Sequence, residues 1–271
     1  MVRYEVSGGV CTLTFDHPER RNAWSPAMER QYFELLDRAG ADAEVRAIVV
    51  TGAGRTFCPG LDSQRLEQAA GEVGLHLEGR RSQHYALTVP KPMIAAINGA
   101  CAGVGMVQAL VCDVRFAARG ARITTAYAKL GLPAEYGLSW LLPRLIGVER
   151  ALDLLLSARP VEAEEALRIG LVSRVCEPED LVAAAQEYAR TLAATCSPRS
   201  MAVIRRQVWA DLSRGYADAN PEWLRVMRQF NDQDNADFAE GVGAFTERRP
   251  PRFEPLPPDF ELPALPPFVV Q

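Results

Sequence analysis

The 271 residues are 48% hydrophobic and 24% charged, the balance of an ordinary globular protein, which excludes a disordered or fibrous chain. A net charge of −4 gives no field that would gather nucleic acid or an anionic membrane, so neither partner is expected and an anionic ligand would need a local basic patch. The six cysteines (Cys11, Cys58, Cys101, Cys112, Cys176, Cys196) form no CxxC pair and no histidine stands at metal-ligand spacing, so reduced thiols of a cytoplasmic protein and no metal site are expected.

The opening MVRYEVSGGV enters an alternating strand with no basic head before an apolar run, so no secretion signal is expected. Residues 2–15 alternate around Gly8-Gly9 and predict a β-hairpin. A loop and a helix follow, with Ser25 as N-cap and Pro26 at the first helical position. VRAIVVTG is too short and too β-branched for a buried helix and predicts a buried strand. GAGRTFCPGLD reads as a loop, and residues from about 62 to 88 as a polar helical stretch. MIAAIN predicts a strand, Gly99 to Gly105 a turn, MVQALVCD a short apolar helix, and VRFAA and ARITT two further strands. From about residue 147 the chain is almost entirely helical apart from the strand LVSRVC. These patterns divide it into a core of residues 1–195, a helical region of 196–249 and a proline-rich extended tail of 250–271, whose interleaved Phe and Leu predict that it lies along a surface.

Between Lys91 and Asp113 there is no charged side chain. The run is long enough for a membrane span of roughly 20 residues, but Pro92, Asn98, Gln108 and the glycines break it up and no aromatic anchor borders it. A dinucleotide loop fits no better, because Gly99, Gly103 and Gly105 do not follow the GxGxxG order. VVTGAGRTF, at 49–57, looks like the first turn of a short-chain dehydrogenase, yet Phe57 replaces the third glycine and Tyr127 has Gly131 rather than lysine four residues on. What remains is a glycine turn at a helix N-terminus, whose N–H groups lack intrahelical partners and receive negative charge. FCPGLD supplies a second such turn after the other buried strand. Two peptide N–H groups from separate turns, aimed at one point, would make an oxyanion hole.

Taken in order, DHPERRNAWS, FCPGLD, KPMIAAINGACAGVGM, CDVRFAA, LPRLIG, EALRIGLVSRV and EGVGAFTERRPPRF resemble the crotonase superfamily, or enoyl-CoA hydratase/isomerase family, over nearly the whole chain. The resemblance implies an α/β fold, the crotonase (ClpP-like) spiral of ββα units with a helical C-terminal trimerisation region. It further implies an acyl-CoA thioester substrate, no cofactor beyond the CoA that enters with it, and a homotrimer or dimer of trimers. Carried over residue by residue, it puts the oxyanion donors at the N–H groups of Leu61 and Val104. Val107 and Tyr127 stand where the type hydratase has its two glutamates, and Glu135 stands where the isomerases keep a single proton-moving acid. Cys58, Gly60, Asp62 and Gly103 belong to the two turns, Arg21 and Ala23 to the loop that follows the CoA nucleotide, and Tyr127 and Trp140 to the acyl pocket. The leading expectation is an enoyl-CoA isomerase that uses Glu135 alone; a hydratase or related lyase, and a silent acyl-CoA-binding protein, are the alternatives. Bland roles stand beside these: Glu135 as a cap of the helix beginning near Gly137, Tyr127 as core, Asp62 as a cap of a helix at 63, and His17, His76 and His84 as surface or loop residues.

Overall fold

The computed structural model describes residues 1–62, 66–67, 80–232 and 235–264. Gly8 and Gly9 turn the chain between β1 (Val2–Ser7) and β2 (Val10–Phe15), whose antiparallel register runs from Val2 opposite Phe15 to Ser7 opposite Val10. Helix α1 (Pro26–Ala41) begins as its sequence predicts: Ser25 Oγ accepts from Met28 N at 3.2 Å and Pro26 fills the first helical position. It buries Met28, Tyr32, Phe33, Leu36 and Ala39, and Lys91 Nζ closes its far end by donating to the carbonyls of Ala39 and Asp42 at 2.6 and 2.5 Å. Ser25→Ala removes one satisfied end group and should cost about 1 kcal/mol, measured as a lower urea midpoint at unchanged m-value.

After α1 the chain alternates between two sheets. Strands β3 (Ala47–Gly52), β5 (Met93–Ile97) and β7 (Val114–Ala118) each run, after a tight turn, into a short strand of a second sheet: β4 (Thr56–Cys58), β6 (Ala100–Ala102) and β8 (Arg122–Thr124). The elements that follow are α3 (Leu138–Ile146), α4 (Val148–Ser157), β9 (Val161–Glu162), α5 (Ala163–Arg168) and β10 (Arg174–Cys176), with α2 (Val104–Leu110) lying between β6 and β7. The larger sheet has the order β1-β2-β3-β5-β7-β10 and the smaller β4-β6-β8-β9. Asn98 registers the two layers: its Nδ2 donates to the carbonyls of Gly52 and Gly54 at 2.8 and 3.0 Å, and its Oδ1 accepts from Gly52 N at 3.1 Å.

Three expectations change here. The segments read as a loop at 52–62 and a turn at 99–105 each contain a strand, β4 and β6. These are three residues long, too short for an alternation to show, and they exist because distant segments pair. Helix α2 runs from Val104 to Leu110 rather than over MVQALVCD; its earlier start is hidden in the sequence because Gly105, which propensity disfavours in a helix, lies inside it. Most of the expected helix from 62 to 88 lies outside the described residues; its described end is a 3₁₀ turn, Tyr85–Thr88. The uncharged run resolves into β5, β6 and α2, and no described helix is long and apolar enough to cross a membrane.

Helix α6 (Leu181–Thr195) lays Leu181, Ala185, Ala189 and Ala193 against the larger sheet, an i, i+4 row whose small side chains let helix and sheet approach closely. Helix α7 (Pro198–Asp211) docks through Arg205, which donates to Asp113 Oδ2 at 2.8 Å and to the carbonyls of Leu87, Val89 and Ala86 at 2.7 to 3.1 Å. Helices α8 (Tyr216–Asp232) and α9 (Ala236–Glu247) follow, and α7 to α9 expose Ile204, Val208, Met227, Phe238 and Phe245. The tail folds back over the core. Arg249 bridges to Glu240 at 2.6 Å, Arg46 donates to Phe253 O at 2.8 Å, and residues 256–262 cover a cavity of about 220 Å³ beside Val45 and Lys91.

Candidate active site

Strands β4 and β6 pair in parallel with Cys58 opposite Cys101, so the turns that follow them leave the small sheet side by side. The turns touch: a Cβ added at Gly103 would lie 3.9 Å from Gly60 Cα. Leu61 follows Gly60 and bridges Trp24, whose N–H donates to Gly60 O at 2.8 Å. Val104 is the first residue of α2, so its N–H has no acceptor within the helix. Among the described residues neither the Leu61 nor the Val104 N–H is engaged. Val104 opens the helix and is not among the residues of positive φ, so its backbone conformation is open to a β-branched residue. Behind the second turn, a Cβ at Gly105 would overlap the Cys58 carbonyl oxygen and sit 2.8 Å from Cys58 Cβ; only glycine lets α2 come this near to β4.

Gly103 N donates to Thr124 O at 3.3 Å, so the chain leaving β8 passes beside the second turn. Three residues later Tyr127 opens a 3₁₀ turn; it is 5% exposed and its hydroxyl has no partner among the described residues. Glu135 sits half-buried in the loop before α3. Its carboxylate does not cap α3, whose N-cap is Gly137 without a side-chain bond, and only its backbone carbonyl accepts from Leu138 N, at 3.2 Å. Burial with no compensating hydrogen bond or cation pushes the Glu135 carboxyl above its ordinary range. Tyr127 is pushed up by its own burial and then by the charge of Glu135, so the two groups share one neighbourhood.

The remaining site candidates fall into distinct environments. Arg21 is exposed and Ala23 buried on a loop held by Asn22, whose Nδ2 donates to the carbonyls of Ala53 and Thr56 at 2.9 and 2.6 Å. Asp62 pairs with Arg20 at 2.6 Å. Cys58, expected at the substrate, has a fully buried side chain packed beneath the turn, and burial pushes its thiol up to about 12. Trp140 is half-buried with the Arg144 guanidinium 4.3 Å from its ring centre. Among the described residues no cluster of three or more His, Cys, Asp or Glu side chains could hold a metal ion.

Sequence alone does not reveal the polar network behind these turns. Glu29 on α1 is buried and receives Arg80 Nε and an Arg80 terminal nitrogen at 2.9 and 2.5 Å, Trp24 Nε1 at 3.0 Å and Gln83 Nε2 at 2.7 Å. Burial works to raise its carboxyl, but these donors outweigh it and hold the group below the usual range. The available signal was a glutamate on the apolar face of α1, between Met28 and Tyr32. His84, expected at the surface or in a loop, lies against the loop that carries Glu135, and burial pulls its imidazole below the ordinary value. His76 lies outside the described residues.

Comparison with known proteins decides the family. The family model for enoyl-CoA hydratase/isomerase matches residues 5–255. The chain belongs to the enoyl-CoA hydratase/isomerase family. Over 260 residues it is 38% identical to a "Probable enoyl-CoA hydratase" of Rhodobacter capsulatus, covering 93% of this chain and 97% of that protein. It is 35% identical to the 1,2-epoxyphenylacetyl-CoA isomerase of Escherichia coli, covering 92% and 96%. A solved enoyl-CoA hydratase from Polaromonas sp. JS666 superposes with a TM-score of 0.85 at 30% identity, covering 93% and 99% of the two chains. The alternating two-sheet spiral with its helical end is therefore the crotonase fold of this enoyl-CoA hydratase/isomerase family member.

Proposed function

We propose that this family member is an enoyl-CoA isomerase acting on acyl-CoA thioesters with Glu135 as its single acid and base. The observation that carries the reading is the state of the carboxyl groups. Among the described carboxyl groups with displaced titration, Glu29, Glu165, Glu222 and Glu240 are pulled down, whereas Glu135 is pushed up. A raised carboxyl is a stronger proton acceptor than an ordinary one, as a group that must take and return a proton requires. Val107 and Tyr127, at the positions of the hydratase glutamates, offer no carboxylate to activate water.

In this reading the thioester oxygen of a 3-enoyl-CoA accepts from the N–H groups of Leu61 and Val104. The Glu135 carboxylate removes a proton from C2, the electron pair delocalises into a dienolate whose negative oxygen those N–H groups stabilise, and Glu135 returns the proton to C4. The product is the 2-enoyl-CoA and the enzyme ends in its starting state. Gly60 and Gly103 let the two turns close on the thioester, Arg21 and Ala23 lie along the CoA nucleotide, and Asp62 braces the first turn through Arg20. Tyr127 and Trp140 line the acyl group. Tyr127→Phe removes a buried hydroxyl that has no partner among the described residues and keeps the ring that lines the acyl group, so kcat and KM should both stay within about twofold of wild type, less than the worth of one neutral hydrogen bond of about 1 kcal/mol, checked by steady-state kinetics. The exposed apolar residues of α7 to α9 support a homotrimer or dimer of trimers.

The deciding experiment follows wild type on trans-3-hexenoyl-CoA and trans-2-hexenoyl-CoA, with double-bond migration and hydration recorded separately. Migration is the expected result. Hydration without migration would replace the reading with a hydratase, and silence on both with tight CoA binding would replace it with a binding protein.

A further inference from the structure

The loop that carries Glu135 is held in an unusual backbone conformation. Tyr136 has φ +49° and Gly137 φ +69°, two successive left-handed residues, the first of them with a bulky side chain. A tyrosine stays in that region only where its surroundings hold it there. The imidazole of His84 supplies the hold: the ring packs flush on Gly137, where a Cβ would come within 2.9 Å of Cε1 and 3.0 Å of Nε2.

The segment bearing His84 also grips both oxyanion turns. Gln83 accepts from Gln108 Nε2 through its backbone and side-chain oxygens at 3.1 and 3.0 Å, and Gln108 lies one helical turn after Val104. Arg80 and Gln83 hold Glu29, which also binds the indole of Trp24, the residue bridged to Leu61. Residues 80–84 therefore touch the Glu135 loop and the helix behind Val104, and reach the Trp24 bridge to Leu61 through Glu29.

We propose that His84 is a positioning residue which, by packing on Gly137, fixes the Glu135 loop relative to the two oxyanion turns. The proposal rests on Glu135 being the acid and base. It acts on geometry, so its loss disturbs proton transfer more than binding; misplacement of a reacting group by 1 Å can cost as much as a hundred-fold in rate.

The test is migration of the trans-3-hexenoyl-CoA double bond by His84→Ala, His84→Phe and Glu135→Gln beside wild type. Alanine removes the ring that packs on Gly137; it should lower kcat about tenfold with KM within about twofold of wild type. Phenylalanine keeps a flat ring at that place and should restore most of the loss. Wild-type kcat in His84→Ala, or equal loss in both variants, overturns the positioning role. Turnover kept in Glu135→Gln overturns the acid–base reading instead, so the two failures are distinguishable. Should His84→Ala not fold, proton NMR of the wild-type enzyme decides: a nuclear Overhauser contact between the His84 ring protons and the Gly137 α-protons is expected, and its absence overturns the proposal.

Discussion

Glu135→Gln should lower turnover of trans-3-hexenoyl-CoA by about 10²- to 10⁴-fold, the contribution of a positioned proton-transfer group, while leaving the affinity for CoA thioesters nearly intact. The amide matches the carboxyl in size, and the Glu135 carboxylate has no hydrogen bond or ion pair among the described residues for the substitution to break. The same substitution should stabilise the fold at neutral pH. Because the folded carboxyl is raised, the native state holds its proton above the pH of about 4.3 at which an unfolded glutamate ionises. Its favourable contribution is present below that pH and is lost as pH rises through the folded value. Wild type should therefore lose stability relative to Glu135→Gln across that window, seen as urea midpoints that diverge as pH rises above about 4.3. Glu29 has the opposite sign: its depressed carboxyl contributes above the unfolded value and the contribution is lost as pH falls. The rise of kcat/KM with pH should in turn have its midpoint above that of an ordinary glutamate, since the base must be ionised to act.

The parts of this protein that are legible in its sequence are those decided within a few residues. The Gly8-Gly9 hairpin, the Ser25 cap with Pro26, and the β-branched run of β3 each carry their own local reason. Strands β4 and β6 carry none; they are three residues each and are made by pairing across more than forty positions. The site divides in the same way. Leu61, Val104 and Glu135 could be placed by resemblance because they sit in motifs, but that Glu135 caps nothing required the geometry of α3. His84 stands in a polar stretch with no local pattern, and the residue its ring packs on, Gly137, lies some fifty residues away. Glu29 is intermediate: an acid on an apolar helix face signals a buried partner, and only the fold supplies Arg80 and Gln83.

A single added methyl group at Gly105 should be nearly as damaging as the loss of the Glu135 charge. Helix propensity alone predicts the reverse, since alanine inside a helix is favoured over glycine by about 1 kcal/mol. Packing decides the sign. A Cβ at this position would overlap the carbonyl oxygen of Cys58 and lie 2.8 Å from Cys58 Cβ, atoms of a buried strand that cannot rotate away as a flexible side chain would. Helix α2 and strand β4 must then separate, and these are the elements that place Val104 and lead into Leu61. Overpacking of this kind costs about 1–3 kcal/mol of stability, and withdrawal of one oxyanion donor costs about 10²–10³ in kcat. Gly105→Ala should thus lose stability and turnover together, whereas Glu135→Gln loses turnover and gains stability at neutral pH; calorimetry and steady-state kinetics on the two variants separate the cases. A Gly105→Ala enzyme with a higher melting temperature and wild-type kcat would mean that α2 does not press on β4, and the two turns would then have no common support from which to meet one thioester oxygen.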